Sequence, residues 1–179
     1  GEAFDKVARV LDLGYPGGVK IDELARQGDA DKYSFTTQLE KEDNYDFSFS
    51  GVKTAVVNLV HNLEQKNMDI PKADIAASFQ KSVVRMLTEK AMKAAEDTKC
   101  NKIVLAGGVA ANSRLRQEIE RMCASAQTEL YYPTPILCTD NAAMIATAGY
   151  YAYKHGVRGD FSDGAKSSMK MSNNAYICK

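Results

Sequence analysis

No stretch of the sequence is apolar for long enough to cross a membrane, and neither sign of charge is in excess: 23 Lys and Arg stand against 23 Asp and Glu. The first absence excludes a membrane-spanning helix. The second removes any global field that would steer the chain towards nucleic acid or an anionic membrane, so an RNA contact has to come from a local patch. Histidine occurs twice, at His61 and His155, and forms neither an H-E-x-x-H nor an H-x-x-x-H pair. A two-histidine zinc peptidase motif is therefore missing. The four cysteines (Cys100, Cys123, Cys138 and Cys178) contain no C-x-x-C pair, which favours free thiols in a reducing cytoplasm over a disulfide framework or a zinc site. There is no G-x-G-x-x-G fingerprint and no Walker A loop, so neither standard nucleotide mechanism transfers. Phe47-Ser-Phe-Ser-Gly-Val-Lys53 carries two serines but no paired histidine, and a serine nucleophile is unsupported.

What is present is an ordinary globular composition, 45% hydrophobic and 26% charged over 179 residues, enough for one domain with a proper core. Apolar spacing predicts helices over Glu2 to Leu13, Ile21 to Arg26, Gly51 to Leu63 and Lys72 to Lys99, the last being the longest. Gly14-Tyr15-Pro16-Gly17-Gly18 reads as a turn. Ser34 to Tyr45 holds weak strand signals at best. Phe47 to Ser50 alternates like a half-buried strand, and Ile103 to Ala106 reads as a buried one. A helix to about Ala126 follows, then a strand over Leu130 to Tyr132, an extended Ile136 to Cys138, and a helix from Thr139-Asp140-Asn141 to near His155. Strands alternating with long helices predict an α/β domain with a mostly parallel sheet flanked by helices, spanning residues 1–158, with a weakly ordered tail over 159–179. The first residue is glycine and leads straight into helical sequence, the expectation for a piece of a longer chain.

Two glycine-lined stretches invite a ligand. Lys102-Ile-Val-Leu-Ala-Gly107-Gly108-Val-Ala-Ala-Asn112-Ser113 runs from a strand through two glycines into a helix start, where a ligand can approach the backbone and meet exposed N–H groups. Asn112 adds an amide that can cap the helix or hydrogen-bond a sugar or base. The same sequence also describes a strand–helix turn that binds nothing. Asp5 and Asp22 flank Gly17-Gly18, and carboxylates beside exposed backbone can grip ribose hydroxyls; each is equally a helix-surface or helix-start acid. Asp140 opens a helix, as a cap or as one carboxylate of a metal site facing the glycine turn. With strand carboxyl ends as the ligand edge, Gly107-Gly108 and Thr139-Asp140 are expected on one edge of the sheet. Arg114, Arg116 and Arg121 read as a solvated helix face before a phosphate-contact patch.

Gly1-Glu-Ala-Phe-Asp-Lys6, Tyr15-Pro-Gly-Gly18, Asp46-Phe-Ser-Phe-Ser-Gly-Val-Lys-Thr54, Ala106-Gly-Gly-Val-Ala-Ala-Asn112 and Cys138-Thr-Asp-Asn-Ala-Ala-Met-Ile-Ala146, in that order, resemble the tRNA threonylcarbamoyladenosine transferase family, TsaD in bacteria, whose older name is O-sialoglycoprotein endopeptidase. The resemblance covers the chain to about Arg158; Val19 departs from the proline frequent after the glycines. It implies an actin/Hsp70/hexokinase-like fold, of which this chain would be one half, the C-terminal one. It implies transfer of a threonylcarbamoyl group from threonylcarbamoyl-adenylate to the tRNA adenosine next to the anticodon. Carried onto matching positions, it implies that Asp5, Gly18, Asp22 and Asn112, with the Gly107-Gly108 turn, hold the nucleotide. Asp140 would be the carboxylate ligand of a divalent metal, iron or zinc. The other ligands would be two histidines of an N-terminal half, so the fragment carries no complete catalytic set and is expected to be idle alone. Implied partners are tRNA, a paralogous protein and an ATPase, with self-association through an uncovered apolar cleft. Peptidase activity is not expected. The alternatives are an ATPase or sugar kinase of the same fold, and a non-catalytic interaction module.

Overall fold

The computed structural model of the chain describes residues 1–36, 42–160, 162 and 164. It divides into two compact units, Gly1–Cys138 and Thr139–Lys179. In the first, α1 (Glu2–Val10), α2 (Gly17–Ala25), α3 (Phe49–Gln65) and α4 (Lys72–Asp97) precede β1 (Lys102–Val104), α5 (Ser113–Ser125) and β2 (Glu129–Tyr131). The second holds α6 (Ala142–Lys154).

The core lies among the first four helices. Phe4, Val7 and Ala8 of α1, Ile21 of α2 and the Val52, Val56, Val60 stripe of α3 are buried around Ile75, Phe79, Val83 and Met86 of α4. Positions three and four apart fall on one helix face, which is why these spacings form stripes. Phe4 meets Phe79 edge to face, with centroids 5.1 Å apart. Each fully buried large side chain here contributes about 1.5–3 kcal/mol, so α4, buried along most of its length, is the organising element.

Beside it, β1 and β2 pair in parallel, with Lys102 opposite Glu129 and Val104 opposite Tyr131. They are joined through α5, whose Leu115, Ile119 and Cys123 are buried. The α/β class with a parallel sheet and flanking helices is thus as predicted. Among the described residues the sheet is two strands wide, and Val104 is 72% exposed, so the expected burial of this strand does not hold. A two-stranded sheet has one neighbour per strand and cannot enclose both.

Three local readings are corrected. Phe47 to Ser50 is no strand: Ser48 is the residue before α3, and Phe49 begins it. Ile136 to Cys138 is not extended, since Pro135–Leu137 forms a turn of 3-10 helix with proline at its start. Gly17 and Gly18 belong to the first turn of α2, which therefore starts four residues earlier than Ile21. The described part of 34–45 contains no strand, and the expected weakly ordered tail lies almost wholly outside the described residues.

The connection after α2 is tacked to α4 by polar contacts. Asp74 accepts the Asp29 N–H at 2.8 Å and the Lys32 ammonium at 2.6 Å. Lys32, chiefly, and the Asp29 N–H hold the Asp74 carboxyl below its ordinary range. A carboxylate with a depressed folded pKa stabilises above its unfolded value and loses that contribution as pH falls through the folded one. The tie is therefore expected to be complete above about pH 4 and to loosen below it. The Asp74 carboxyl carbon shift, followed by NMR, should report a transition below the ordinary carboxylate range that Lys32→Met moves upward.

Candidate functional site

Two helix starts build the site. In α2 the cap position is Pro16, which offers no side-chain acceptor. Asp5 of α1 supplies one instead: its Oδ1 accepts the Gly17 N–H at 2.9 Å. A carboxylate there also complements the positive end of the helix. The approach is close enough that a Cβ on Gly17 would lie 2.5 Å from the Asp5 Cα and 2.8 Å from the Phe4 carbonyl. Gly17 is thus required by packing. At Gly18 a Cβ would meet nothing within 4 Å, so this glycine leaves open surface. Gly18 and Asp22 are four residues apart and share one face of α2.

The second start is α5. Gly107 has φ +88°, the left-handed region that suits glycine, and the chain then turns through the 3-10 helix Gly108–Ala111 to Asn112. Asn112 caps α5, its Oδ1 accepting the Leu115 N–H at 2.9 Å. That contact orients the amide so that Nδ2 faces Asp22, 3.3 Å from Oδ1. Ser113 Oγ donates to the same oxygen at 2.8 Å, and Gln80 Nε2 of α4 does so at 2.5 Å. Arg26 Nη2 lies 3.2 Å from the other oxygen. Asn112 is 8% and Gln80 3% exposed, so these are buried amides with a charged acceptor. Beside them an open polar groove of about 630 Å³ is bordered by Arg26, Gln80, Ser113, Arg114 and Gln117.

The structure therefore brings Asp22 and Asn112 together across 90 positions, and sets Asp5 of α1 against the start of α2 that carries Gly18. Gln80 and Ser113 are not among the residues expected from the sequence. Ser113 directly follows the cap, which is its local signal; Gln80 lies in a stretch of α4 where Ser78, Ser82, Thr88 and Lys90 are buried polar residues too, so nothing in the sequence singles it out. Arg116 is no solvated arginine. Its guanidinium donates to the Ala110 carbonyl at 2.6 Å and the Pro133 carbonyl at 2.8 Å, and it stacks 4.6 Å from the Tyr132 ring, fixing the glycine turn from behind. Arg121 pairs with Glu118 at the surface.

Asp140 belongs to the second unit, where it is exposed. The cap of α6 is Asn141, which accepts the Met144 N–H at 3.2 Å, so Asp140 lies outside the helix and has no capping role. Among the described residues no three His, Cys, Asp or Glu side chains gather in a way that could hold a metal ion. His61 is exposed on α3 near Glu64, and His155 ends α6. The residues described here do not make a metal site by themselves. Cys100, Cys123 and Cys138 are free thiols, and no described helix is long and apolar enough to cross a membrane.

The family described as tRNA N6-adenosine threonylcarbamoyltransferase, TsaD, matches residues 1–147. A Staphylococcus epidermidis protein of that name is 52% identical over 162 residues, 90% of this chain and 47% of the relative. Relatives of the same name from Clostridium perfringens and Thermosipho africanus are each 50% identical over 171 residues, 96% of this chain and 50% and 51% of theirs. The chain spans about half the length of the curated relatives it matches. It belongs to the TsaD family of tRNA N6-adenosine threonylcarbamoyltransferases.

Proposed function

We infer that the chain forms the nucleotide-holding wall of an enzyme that moves a threonylcarbamoyl group from threonylcarbamoyl-adenylate to the exocyclic amine of the tRNA adenosine beside the anticodon. The observation that carries this reading is the Asp22–Asn112 contact, which joins two glycine-lined helix starts into one polar surface. Asp22 is an acceptor for sugar hydroxyls, and Asp5 holds the start of α2 in place behind them. Gly18 and the Gly107-Gly108 turn let the nucleotide approach the backbone. In the transfer, the amine nitrogen bonds to the carbamoyl carbon as the bond from that carbon to the phosphate oxygen breaks. AMP leaves with the electron pair and the amine loses one proton. No residue of this chain is assigned to that proton, so its part is binding and orientation.

The fold of such a protein is the actin/Hsp70/hexokinase-like one, and the β1–α5–β2 unit is consistent with it. Asp140 is assigned one carboxylate position for a divalent metal, iron or zinc, with the remaining ligands from outside this chain. The free thiols favour a cytoplasmic setting. The tRNA, and the paralogous and ATPase proteins of the modification complex, are the partners of this reading.

The test is calorimetric titration of the chain with AMP. Saturable binding is expected, weakened at least tenfold in Asn112→Ala, where the cap and the Asp22 contact are lost together, and likewise in Asp5→Ala. Absence of binding, or variants that bind unchanged, would refute the nucleotide wall. Magnesium-dependent release of phosphate from ATP would favour the kinase-like alternative instead.

A further inference from the structure

The Asp22 carboxylate is treated asymmetrically. Three neutral donors converge on Oδ1: Gln80 Nε2 at 2.5 Å, Ser113 Oγ at 2.8 Å and Asn112 Nδ2 at 3.3 Å. A carboxylate oxygen offers about two lone-pair directions, so Oδ1 has no capacity left for a ligand. Oδ2 accepts from Arg26 at 3.2 Å, and that side chain is 66% exposed while the Asp22 side chain is 14% exposed. One oxygen is tied inward by groups that cannot leave. The other faces a long solvated side chain that can swing away at little cost, as exposed ion pairs are weak.

Gln80 explains itself only through this contact. It is 3% exposed and stands beside Phe79 in the buried stretch of α4, where an amide without a partner is costly. Ser113 approaches the same oxygen from the first turn of α5. With Asn112 they fix both the rotation and the plane of the carboxylate from two separate helices.

We propose that Gln80 and Ser113 are positioning residues of the nucleotide site: they saturate Oδ1 of Asp22 and so turn Oδ2 outward to accept a sugar hydroxyl, with Arg26 as the partner that the sugar displaces. This rests on the nucleotide reading above. It adds a selectivity: the ligand group that Oδ2 takes is a neutral donor, and a nucleotide without sugar hydroxyls gains nothing from the arrangement.

The experiment compares AMP with 2′,3′-dideoxy-AMP on the full chain, in the unmodified protein and in Gln80→Leu and Ser113→Ala. A hydrogen bond to a charged acceptor corresponds to about tenfold or more in affinity, so the unmodified protein should prefer AMP by at least that factor. Gln80→Leu should lose most of the preference while binding the dideoxy nucleotide as the unmodified protein does. Ser113→Ala, which removes only a partly exposed hydroxyl, should lose part of it and serves the same comparison if the leucine variant fails to fold. Equal weakening towards both nucleotides would show a merely structural role and overturn the proposal, as would an unchanged preference. An unmodified protein that binds neither nucleotide would overturn the nucleotide reading itself, an outcome distinct from the other two.

Discussion

Gly17→Ala is expected to cost about 2–3 kcal/mol of stability, a fall of roughly 5–10 °C in Tm, whereas Gly18→Ala one position on should leave stability within about 0.5 kcal/mol or raise it. The new methyl at residue 17 has backbone on two sides, the Asp5 Cα at 2.5 Å and the Phe4 carbonyl at 2.8 Å, and backbone cannot move aside as a flexible side chain can. The helices must part, and the Asp5 contact to the start of α2 goes with them. At residue 18 the methyl enters open space, and alanine is the better helix former. On the proposed nucleotide reading the same methyl faces the ligand, so Gly18→Ala should weaken AMP binding at least tenfold in a protein that unfolds no sooner. Thermal scans with AMP titrations check both. A Gly18→Ala protein that binds AMP normally would remove Gly18 from the site.

Asp22→Ala should be the most damaging substitution for both stability and binding. It strips the charged acceptor from Gln80 and Asn112, donors that are only 3% and 8% exposed. Losing hydrogen bonds to a charged group and stranding buried amides each cost on the order of 1–3 kcal/mol, so a total of about 2–4 kcal/mol is expected, with no detectable AMP binding. Asp22→Asn keeps one carbonyl oxygen for the inward donors and should recover at least half of the stability, but little of the binding. Urea unfolding separates the two effects. In a double-mutant cycle with Asn112→Ala, the loss should be non-additive by about 1 kcal/mol, since the residues share one bond. Additivity would mean that the 3.3 Å contact contributes nothing.

The sequence was most legible where a signal is local. Asn112 before an apolar period predicted its cap, and the stripes of α1, α3 and α4 followed from spacing alone. Phe47 to Ser50 misled because four alternating residues fit a strand and the first turn of a helix equally well, and the long apolar period after Gly51 then drew the helix back to Phe49. Gly17 and Gly18 looked like a turn because helix propensity penalises glycine. That penalty is overridden at residue 17, where only glycine fits against α1. Of the contacting residues, Asp5 and Asp22 stand beside glycines and Asn112 before a helical period, signals that are legible locally. Gln80 is not legible in this way, because its meaning comes from a carboxylate 58 positions away and no periodicity encodes that.

The divided amide of Asn112 bears on how this protein can change over generations. Its oxygen is committed to the start of α5 and its nitrogen to Asp22. A single base change in an asparagine codon yields aspartate, serine, threonine, lysine, isoleucine, tyrosine or histidine. Aspartate keeps the acceptor but sets two carboxylates against each other, and serine or threonine caps the helix without reaching across. Lysine, isoleucine and tyrosine lose the cap, and histidine needs room for a ring at a position that is 8% exposed. None of these replacements is shown to keep both bonds, and only those that keep the cap (aspartate, serine, threonine) could be made good by a change at residue 22.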